Sequence, residues 1–263
     1  MIVIGERING LFKDMAKAIQ ERNPEPIQEL AIKQTKAGAR FIDINTGPAV
    51  DEPEKVMPWL VEVVESVVDT PISIDTVKVK AIEAGLKAVK KKPALINSTT
   101  AERKHLEQIL PLAKHYGAAV IGLAMNEKGV PKDATDRTAI AMEIVAAADE
   151  FGIPLTDLYI DPLTLPVGVA QEHAPEALET IRQVKLLSDP APKTVIGLSN
   201  ISQKTLHRPL INRTFLVMAM TCGLDAAIMD ATDNELMDAA ITSSILLNKE
   251  VYSDSFLKVG RGQ

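Results

Sequence analysis

Eight short apolar runs of strand length alternate along this chain with segments of helical periodicity, and this alternation limits the available folds. The runs are rich in isoleucine and valine, which is typical of strands buried on both faces of a parallel sheet. They are residues 1–9, 40–45, 71–76, 94–99, 118–126, 157–162, 194–200 and 225–231. The pattern predicts an α/β fold, a single (β/α)8 TIM barrel domain that spans residues 1–263.

Helical segments separate these runs. The clearest are 26–39, 52–68, 79–91, 136–152, 212–223 and 233–248. Glycines stand where we expect helix C-caps: Gly38, Gly85, Gly117, Gly152 and Gly223. A doubly wound open sheet is the alternative architecture, but the GxGxxG phosphate-binding fingerprint is absent from the sequence.

Composition excludes several classes of function. The net charge of −6 argues against a nucleic-acid partner and against an anionic membrane surface. The single cysteine, Cys222, can form neither a disulfide framework nor a cysteine metal cluster. No run reaches the 18 apolar residues of a membrane span, and the first residues lack the basic region of a signal peptide. We therefore expect a cytoplasmic protein.

Polar side chains end almost every predicted strand, and the carboxyl ends of the strands form the working face of a barrel. They are Glu6, Asn9, Asp43, Asn45, Asp75, Asn97, Asn126, Asp161, Ser199, Asn200 and Asp230. Any one of them could be a helix N-cap. That interpretation suits Asp75, Asn97 and Asp161 poorly, because we place them at the ends of their strands, ahead of the loops. The accumulation of such residues indicates that a binding site lies at this face of the barrel.

The residue types at these strand ends narrow the chemistry. All four histidines fall in predicted helices or loops: His105, His115, His173 and His207. We therefore expect no intrinsic metal, although an ion bound by Asp43, Asp75 and Asp161 remains open. No lysine ends a strand, which excludes a Schiff base, and Ser199 has no nearby histidine to act as its base.

Carboxylates and amides together suit a flat heterocycle with alternating donors and acceptors. A carboxylate can accept two parallel N–H bonds from a 2-amino-4-oxopyrimidine. An asparagine amide offers one donor and one acceptor to the remaining ring positions. The ring that fits this description is that of a pterin.

Six motifs carry a resemblance to a known family. They are GERIN (5–9), DINTGPA (43–49), ISIDT (72–76), LINSTTAE (95–102), YIDPLTLP (159–166) and GLSNIS (197–202). Together they resemble the pterin-binding barrel family, and more closely its 5-methyltetrahydrofolate:corrinoid/iron–sulfur protein methyltransferases. The likeness covers nearly the whole chain and includes 172–178 and 208–220.

This resemblance implies a reaction and a partner. The N5-methyl group of 5-methyltetrahydrofolate would pass to Co(I) of a corrinoid/iron–sulfur protein, giving tetrahydrofolate and methyl-Co(III), in the reductive acetyl-CoA pathway. The corrinoid would arrive on that partner in a transient complex, since the chain lacks a cobalamin module. The resemblance also implies a homodimer. Loops 9–13, 126–133 and 163–169 would border the docking face.

The family's site residues can be placed on matching positions. Asp75, Asn97 and Asp161 are similar to the residues that hold the pterin edge. Asn200 resembles the family's catalytic asparagine beside N5, where we expect it to be tied to water and to the carboxylates. The remaining positions are Gly197 and Ser199 as pocket lining, Asp43 as support, and Gln203 and Arg208 toward the aminobenzoyl-glutamate tail. Arg208 could equally be a structural residue.

Two other functions stay open. Dihydropteroate synthases share the barrel, but their usual N-x-T-P-D-S-F opening and their Ser-x-Arg motif are absent. A folate carrier would bind methyltetrahydrofolate and never demethylate it. Cobalamin-dependent methionine synthase contains a similar folate module, but its D-x-H-x-x-G motif and its zinc cysteines are also absent from this chain.

Overall fold

Eight parallel strands close into a barrel in the computed structural model, which describes residues 1–48 and 50–260. The strands are β1 Ile2–Asn9, β2 Phe41–Asn45, β3 Ile72–Asp75, β4 Leu95–Thr100, β5 Ala119–Leu123, β6 Leu158–Asp161, β7 Lys193–Gly197 and β8 Ala226–Met229. Each strand pairs with the next along the chain, and β8 pairs with β1. The predicted (β/α)8 barrel is confirmed.

Helices surround the strands. They are α1 Lys13–Gln20, α2 Glu25–Lys36, α3 Pro53–Glu65, α4 Val79–Ala88, α5 Arg103–Tyr116, α6 Ala134–Glu150, α7 His173–Val184, α8 Arg208–Thr221, α9 Asn234–Leu246 and α10 Phe256–Gly260. The sequence pattern did not indicate α1, α5, α7 or α10. Both α1 and α5 are amphipathic, but α1 has only 8 residues and α5 contains Pro111 in its interior, two features that argue against a helix in sequence. Over the described residues, no helix combines the length and apolar character that a bilayer crossing needs.

Four of the five glycines predicted at helix ends do lie there with positive φ, namely Gly38, Gly117, Gly152 and Gly223. The prediction for Gly85 is wrong, because this residue lies inside α4. A Cβ atom at this position would come within 2.9 Å of the side chains of Ile74 and Met57. Gly85 therefore serves close packing of α4 against β3 and α3.

The barrel interior is closed at its amino end by an apolar layer, here called the floor. Successive side chains of a strand point to opposite faces, so inward positions recur every second residue. Seven strands supply the floor, which consists of Ile4, Phe41, Leu95, Ala119, Ile121, Tyr159, Val195 and Ala226. A second and larger apolar layer lies between the strands and the helices.

Two residues further along the strands, the interior becomes polar. Glu6 follows Ile4, Asp43 follows Phe41, and Asp161 follows Tyr159 at this spacing. We call this second layer the mouth, and it consists of Glu6, Asp43, Asp75, Asn97, Asp161 and Gly197. One inward-facing register therefore places an apolar floor directly beneath a polar ring.

Several predicted strand ends are wrong in detail, among them that of β8, which stops at Met229 and leaves Asp230 outside the strand. Strand β7 stops at Gly197, and a 3-10 helix, Leu198–Asn200, carries Asn200 instead of the strand. Strand β5 stops at Leu123, so Asn126 lies in a turn, where its Oδ1 accepts a hydrogen bond from the Lys128 N–H at 3.0 Å. Strand β4 continues to Thr100, so Asn97 is not its last residue.

Candidate active site

A cavity of about 630 Å³ opens above the mouth, a volume in the range of small-molecule sites. Its lining includes every residue that the sequence predicts for binding, catalysis or support: Asp43, Asp75, Asn97, Asp161, Gly197, Ser199, Asn200, Gln203 and Arg208. The structure therefore brings the whole predicted set together. It also adds lining residues that sequence reasoning did not select, among them Glu6, Arg7, Phe12 and Asn212.

Asp43 lies at the centre of the mouth and is buried. Its Oδ1 accepts hydrogen bonds from Ser73 Oγ at 2.5 Å and from Asn97 Nδ2 at 3.2 Å. Burial raises the pKa of Asp43 well above its usual range, and the nearby Asp75 carboxylate raises it further. Because Asn97 uses its amino group on Asp43, its side-chain oxygen remains available as an acceptor.

Asp75 is held from the neighbouring strand. Asn45 Nδ2 donates to Asp75 Oδ2 at 2.8 Å, while Asn45 Oδ1 accepts from the Gly47 N–H at 2.7 Å. Burial raises the pKa of Asp75, and the Asn45 hydrogen bond opposes that rise. Asn45 thus fixes the carboxyl group in orientation at the edge of the cavity.

Asp161 is the third carboxyl group of the mouth and is also buried. The Leu163 N–H donates to its Oδ1 at 2.7 Å, and the Gly197 backbone supplies a second hydrogen bond. Burial raises the pKa of Asp161 to about 7, against the lowering effect of these two bonds and of the Arg137 charge. This group can therefore exchange a proton near neutral pH.

Asn200 extends into the cavity from the 3-10 helix after β7. Gln203 Nε2 donates to Asn200 Oδ1 at 2.9 Å, which leaves the Asn200 amino group as a donor. A Cβ atom at Gly197 would lie 2.8 Å from that amino group, so a larger residue there would displace the Asn200 side chain. The expected tie between Asn200 and the carboxylates is not seen among the described residues, where its partner is Gln203.

Ser199, one residue before Asn200, makes the link to a carboxyl group. Its hydroxyl donates to Glu6 Oε1 at 2.6 Å. Burial raises the pKa of Glu6 to about 7, helped by Asp230 and opposed by the Ser199 bond and by Arg208 and Arg7. The feature that could have identified Glu6 in the sequence is its position two residues after Ile4, which places both side chains on the inner face of β1.

Arg208 joins the cavity wall to the 3-10 helix. Its Nε donates to Ser202 Oγ at 3.1 Å, and its Nη2 donates to the Ser199 carbonyl at 3.2 Å. These contacts give Arg208 a structural function, which was one of the two interpretations left open. The same residue still lines the cavity.

Asn212 lies one helical turn after Arg208 on α8. Its Oδ1 is buried and accepts no hydrogen bond within the described part of the chain. A buried acceptor without a donor costs about 1–3 kcal/mol, and such atoms in native proteins call for an explanation. Asn212 lines the cavity, but this oxygen is itself buried, so a ligand N–H group would reach it only after the side chain had turned.

Two polar residues at strand ends use their side chains in local turns. Asn9 Oδ1 accepts from the Leu11 N–H at 2.9 Å, and Asp230 Oδ1 accepts from the Thr232 N–H at 2.9 Å. Both still line the cavity.

Within residues 1–48 and 50–260, no three His, Cys, Asp or Glu side chains are grouped as a metal site would require.

Comparison with known proteins identifies the family. The profile of a family described as pterin binding enzyme matches residues 10–230, which is most of the chain. The chain belongs to the pterin binding enzyme family. This membership agrees with the donor and acceptor pattern of the mouth.

Two curated proteins are similar to this chain over most of its length. Methylcorrinoid:tetrahydrofolate methyltransferase of Eubacterium limosum is 28% identical over 267 residues, covering 99% of this chain and 96% of that protein. Methionine synthase of Mycobacterium tuberculosis is 28% identical over 245 residues, covering 88% of this chain and 20% of that protein. The chain therefore spans about a fifth of the methionine synthase and nearly all of the first relative.

Solved structures of pterin enzymes share the fold. Yersinia pestis dihydropteroate synthase with a pterine-sulfa conjugate has a TM-score of 0.67 at 17% identity, covering 94% of each chain. Dihydropteroate synthase from Thermus thermophilus in complex with 6HMPPP has a TM-score of 0.61 at 19% identity, covering 89% of this chain and 91% of that one. At these identities the likeness concerns the fold alone.

Proposed function

We propose that this chain is a methyltransferase that moves a methyl group between N5 of tetrahydrofolate and the cobalt of a corrinoid bound to a separate protein. The observation that carries the proposal is the pairing of a pterin-suited carboxyl ring with the free amino group of Asn200 above it. The name of the Eubacterium limosum relative, methylcorrinoid:tetrahydrofolate methyltransferase, supports the same two substrates.

The mouth suits the pterin in charge as well as in shape. Burial raises the pKa of Asp75 and of Asp161 even though each already accepts hydrogen bonds, so further donors would favour the ionised form of both. The 2-amino and N3 groups of a pterin are donors, and they would stabilise the ionised carboxylates. Asn97 would meet the ring with its side-chain oxygen, because its amino group is held by Asp43.

In the transfer step, the N5–CH3 bond breaks and a C–Co bond forms. Co(I) supplies the electron pair for the new bond and becomes Co(III), while N5 keeps the pair of the broken bond and takes up a proton. A neutral tertiary amine is a poor leaving group, so help at N5 must strengthen in the transition state. Asn200 Nδ2 would donate to N5. Glu6, held by Ser199 and with a pKa of about 7, is suited to supply the proton at neutral pH.

The direction of transfer and the partner form the finer part of the proposal. We propose that methyltetrahydrofolate is the donor and that a corrinoid/iron–sulfur protein is the acceptor. The name of the Eubacterium limosum relative puts methylcorrinoid first, which favours the reverse direction as the second candidate. One site serves both directions, because the same transition state is crossed either way. The homodimer likewise stays a prediction.

A docking protein would find apolar contacts around the cavity. Four exposed apolar side chains lie in loops that follow different strands, namely Leu11, Val77, Val169 and Leu206, with exposures of 71%, 89%, 78% and 95%. Loops that follow strands all lie at the carboxyl face of a barrel. Burial of this apolar rim by a protein would bring its corrinoid over Asn200.

A methyl-transfer assay tests the function. The chain is mixed with 5-methyltetrahydrofolate and Co(I) cobalamin, and loss of the Co(I) absorbance is followed; the reverse assay starts from methylcobalamin and tetrahydrofolate. We expect transfer in both assays. A folate carrier would bind methyltetrahydrofolate without any transfer. A dihydropteroate synthase would instead condense aminobenzoate with hydroxymethyl-dihydropterin diphosphate. Either result would overturn the proposal.

A charge reversal tests the docking face. Lys132 lies in loop 126–133 and does not line the cavity. We expect Lys132→Glu to slow transfer to the corrinoid/iron–sulfur protein while it leaves methyltetrahydrofolate binding and transfer to free cobalamin unchanged. Equal slowing with both acceptors would show that docking uses another surface.

A further inference from the structure

Arg137 is fully buried on α6, outside the cavity wall. Its guanidinium donates to three main-chain carbonyls from two loops: Pro131 at 2.9 Å, Pro162 at 3.1 Å and Leu163 at 3.2 Å. Pro131 precedes α6, whereas Pro162 and Leu163 directly follow β6. A single side chain therefore joins two of the loops that surround the candidate active site.

His173, the first residue of α7, completes this arrangement. Arg137 Nη2 lies 2.5 Å from His173 Nδ1. A guanidinium has only donors, so Nδ1 must be the unprotonated acceptor, which places the proton of a neutral imidazole on Nε2. Acidic groups surround Arg137 from the neighbouring elements, namely Glu176 on α7, Asp133 before α6 and Asp161 on β6.

Leu163 connects this arrangement to the mouth. Its carbonyl accepts from Arg137, while its N–H donates to Asp161 Oδ1 at 2.7 Å. Leu163 has a φ of 66°, in the left-handed region, which costs a non-glycine residue about 1–2 kcal/mol. Such a conformation persists only when surrounding contacts hold it. The Arg137 hydrogen bonds to Leu163 and to Pro162 are those contacts.

We propose that Arg137 and His173 are positioning residues for Asp161. They hold Leu163 in the conformation that aims its N–H at the carboxylate, and so they set how firmly Asp161 can bind the edge of a pterin. The pterin part of this inference rests on the proposed function. The positioning of Asp161 itself does not, because it is a property of the unliganded chain.

The proposal predicts a change in the titration of Asp161. The Leu163 N–H, the Gly197 backbone bond and the Arg137 charge all lower the pKa of Asp161 against the effect of burial. Arg137 is the charged group among these three. The other titratable groups of the mouth are the carboxyl groups of Glu6, Asp43 and Asp75. If Leu163 turns away, one stabilising donor is lost and the pKa of Asp161 should rise.

Matched variants separate positioning from general stability. His173→Leu removes the acceptor of Arg137, while His173→Asn keeps an oxygen near the position of Nδ1. Arg137→Lys keeps the charge and removes the branched donor set. Ile181→Ala, at a fully buried site on the same helix α7, serves as the control for loss of packing alone.

The deciding experiment is a ¹³C NMR titration of aspartate carboxyl groups in the unliganded protein, with Asp161→Asn to assign the signal. We expect the midpoint of Asp161 to rise by about one pH unit in His173→Leu and in Arg137→Lys, a shift typical of a lost hydrogen bond to a carboxylate. His173→Asn should restore the parent value, and Ile181→Ala should not shift it. An unchanged midpoint in folded His173→Leu, or an equal shift in Ile181→Ala, would overturn the proposal.

A binding titration with 5-methyltetrahydrofolate then tests the pterin part. A rise of the Asp161 midpoint from about 7 to about 8 would lower its ionised fraction at pH 7 from about one half to about one tenth. We therefore expect Kd at pH 7 to rise about fivefold in His173→Leu and to stay within about twofold in His173→Asn. If the parent chain fails to bind methyltetrahydrofolate, the proposed function is wrong, while the NMR result still decides the positioning of Asp161. A Kd unaffected in a variant whose Asp161 midpoint has moved would overturn the link to pterin binding.

Discussion

The floor and the mouth of the barrel are built on the same strands, two residues apart, yet they have opposite properties. The floor residues Ile4, Leu95 and Val195 are fully buried and apolar. The mouth places carboxyl groups in a similarly enclosed space, and burial raises the pKa of Glu6 and of Asp161 to about 7. The difference indicates that the floor stabilises the fold, whereas the mouth retains polar groups for a ligand.

The pKa values of the mouth determine the direction in which the stability of the fold changes with pH. Glu6 and Asp161 have folded-state pKa values of about 7, against ordinary values of 4.5 and 3.8. The folded chain therefore binds more protons than the unfolded chain across this window. The contribution of these two protonated groups to the free energy of unfolding is fully present below their ordinary pKa values. It is lost as the pH rises through about 7. A ligand that donates hydrogen bonds to the ionised groups would oppose the loss.

The largest effect is expected on catalysis, at Asn200 above the mouth. Asn200→Ala should lower kcat by about 10²–10⁴-fold, the range for a group that assists proton transfer in the transition state. Binding of methyltetrahydrofolate should weaken much less. The matched control is Asn126→Ala, an asparagine after β5 that does not line the cavity. Near-normal turnover of Asn200→Ala would make Asn200 an ordinary lining residue.

Binding should depend most on the carboxylates. Asp75→Ala, and likewise Asp161→Ala, should weaken methyltetrahydrofolate binding by about 2–5 kcal/mol, because the donors of the bound ring lose a charged partner. Titration calorimetry measures this directly. A variant with the parent affinity would remove its residue from the pterin site.

The pH dependence of stability should become weaker when one buried carboxyl group is removed. In Glu6→Gln, the difference in unfolding free energy from the parent should change by about 1–3 kcal/mol between pH 4.5 and pH 7.5, with the variant favoured at the higher pH. Denaturant unfolding across this range provides the measurement. Parallel profiles for the two proteins would mean that Glu6 has an ordinary pKa.

A substitution in the floor should change the stability of the fold and leave ligand binding unchanged. Ile121→Val removes one buried methylene from it and should lower the free energy of unfolding by about 0.5–1.5 kcal/mol. The affinity of the folded variant for methyltetrahydrofolate should equal that of the parent. A clear loss of affinity would show that the floor also shapes the ligand site.

The barrel and the membership of the mouth could be predicted because both depend on local patterns. Apolar runs mark the strands, and polar residues near their carboxyl ends, such as Asp75 and Asp161, must converge when the sheet closes. Glu6 was visible by the same rule, at the inward position after Ile4, although it was not chosen as a binding residue. Periodicity alone placed several helix and strand ends incorrectly.

The remaining features depend on contacts between distant segments. The bond from Gln203 to Asn200 requires a 3-10 helix in place of the last part of strand β7. The arrangement of Arg137 with Leu163 and His173 joins residues 26 and 36 positions apart. The orphaned oxygen of Asn212 is recognised only when every neighbour is known. No sequence pattern indicates such pairings.

The shared inward register of floor and mouth also limits how a barrel of this kind can change in length. Deleting one residue inside a strand would exchange inside and outside for every later position, which would move a mouth carboxyl group into the helix layer and an outer isoleucine into the ligand cavity. Loops and helix ends have no such alternation of inward and outward positions. Insertions and deletions in this lineage should therefore accumulate after the strands, where they alter substrate access and partner contacts while the distance from floor to mouth stays constant.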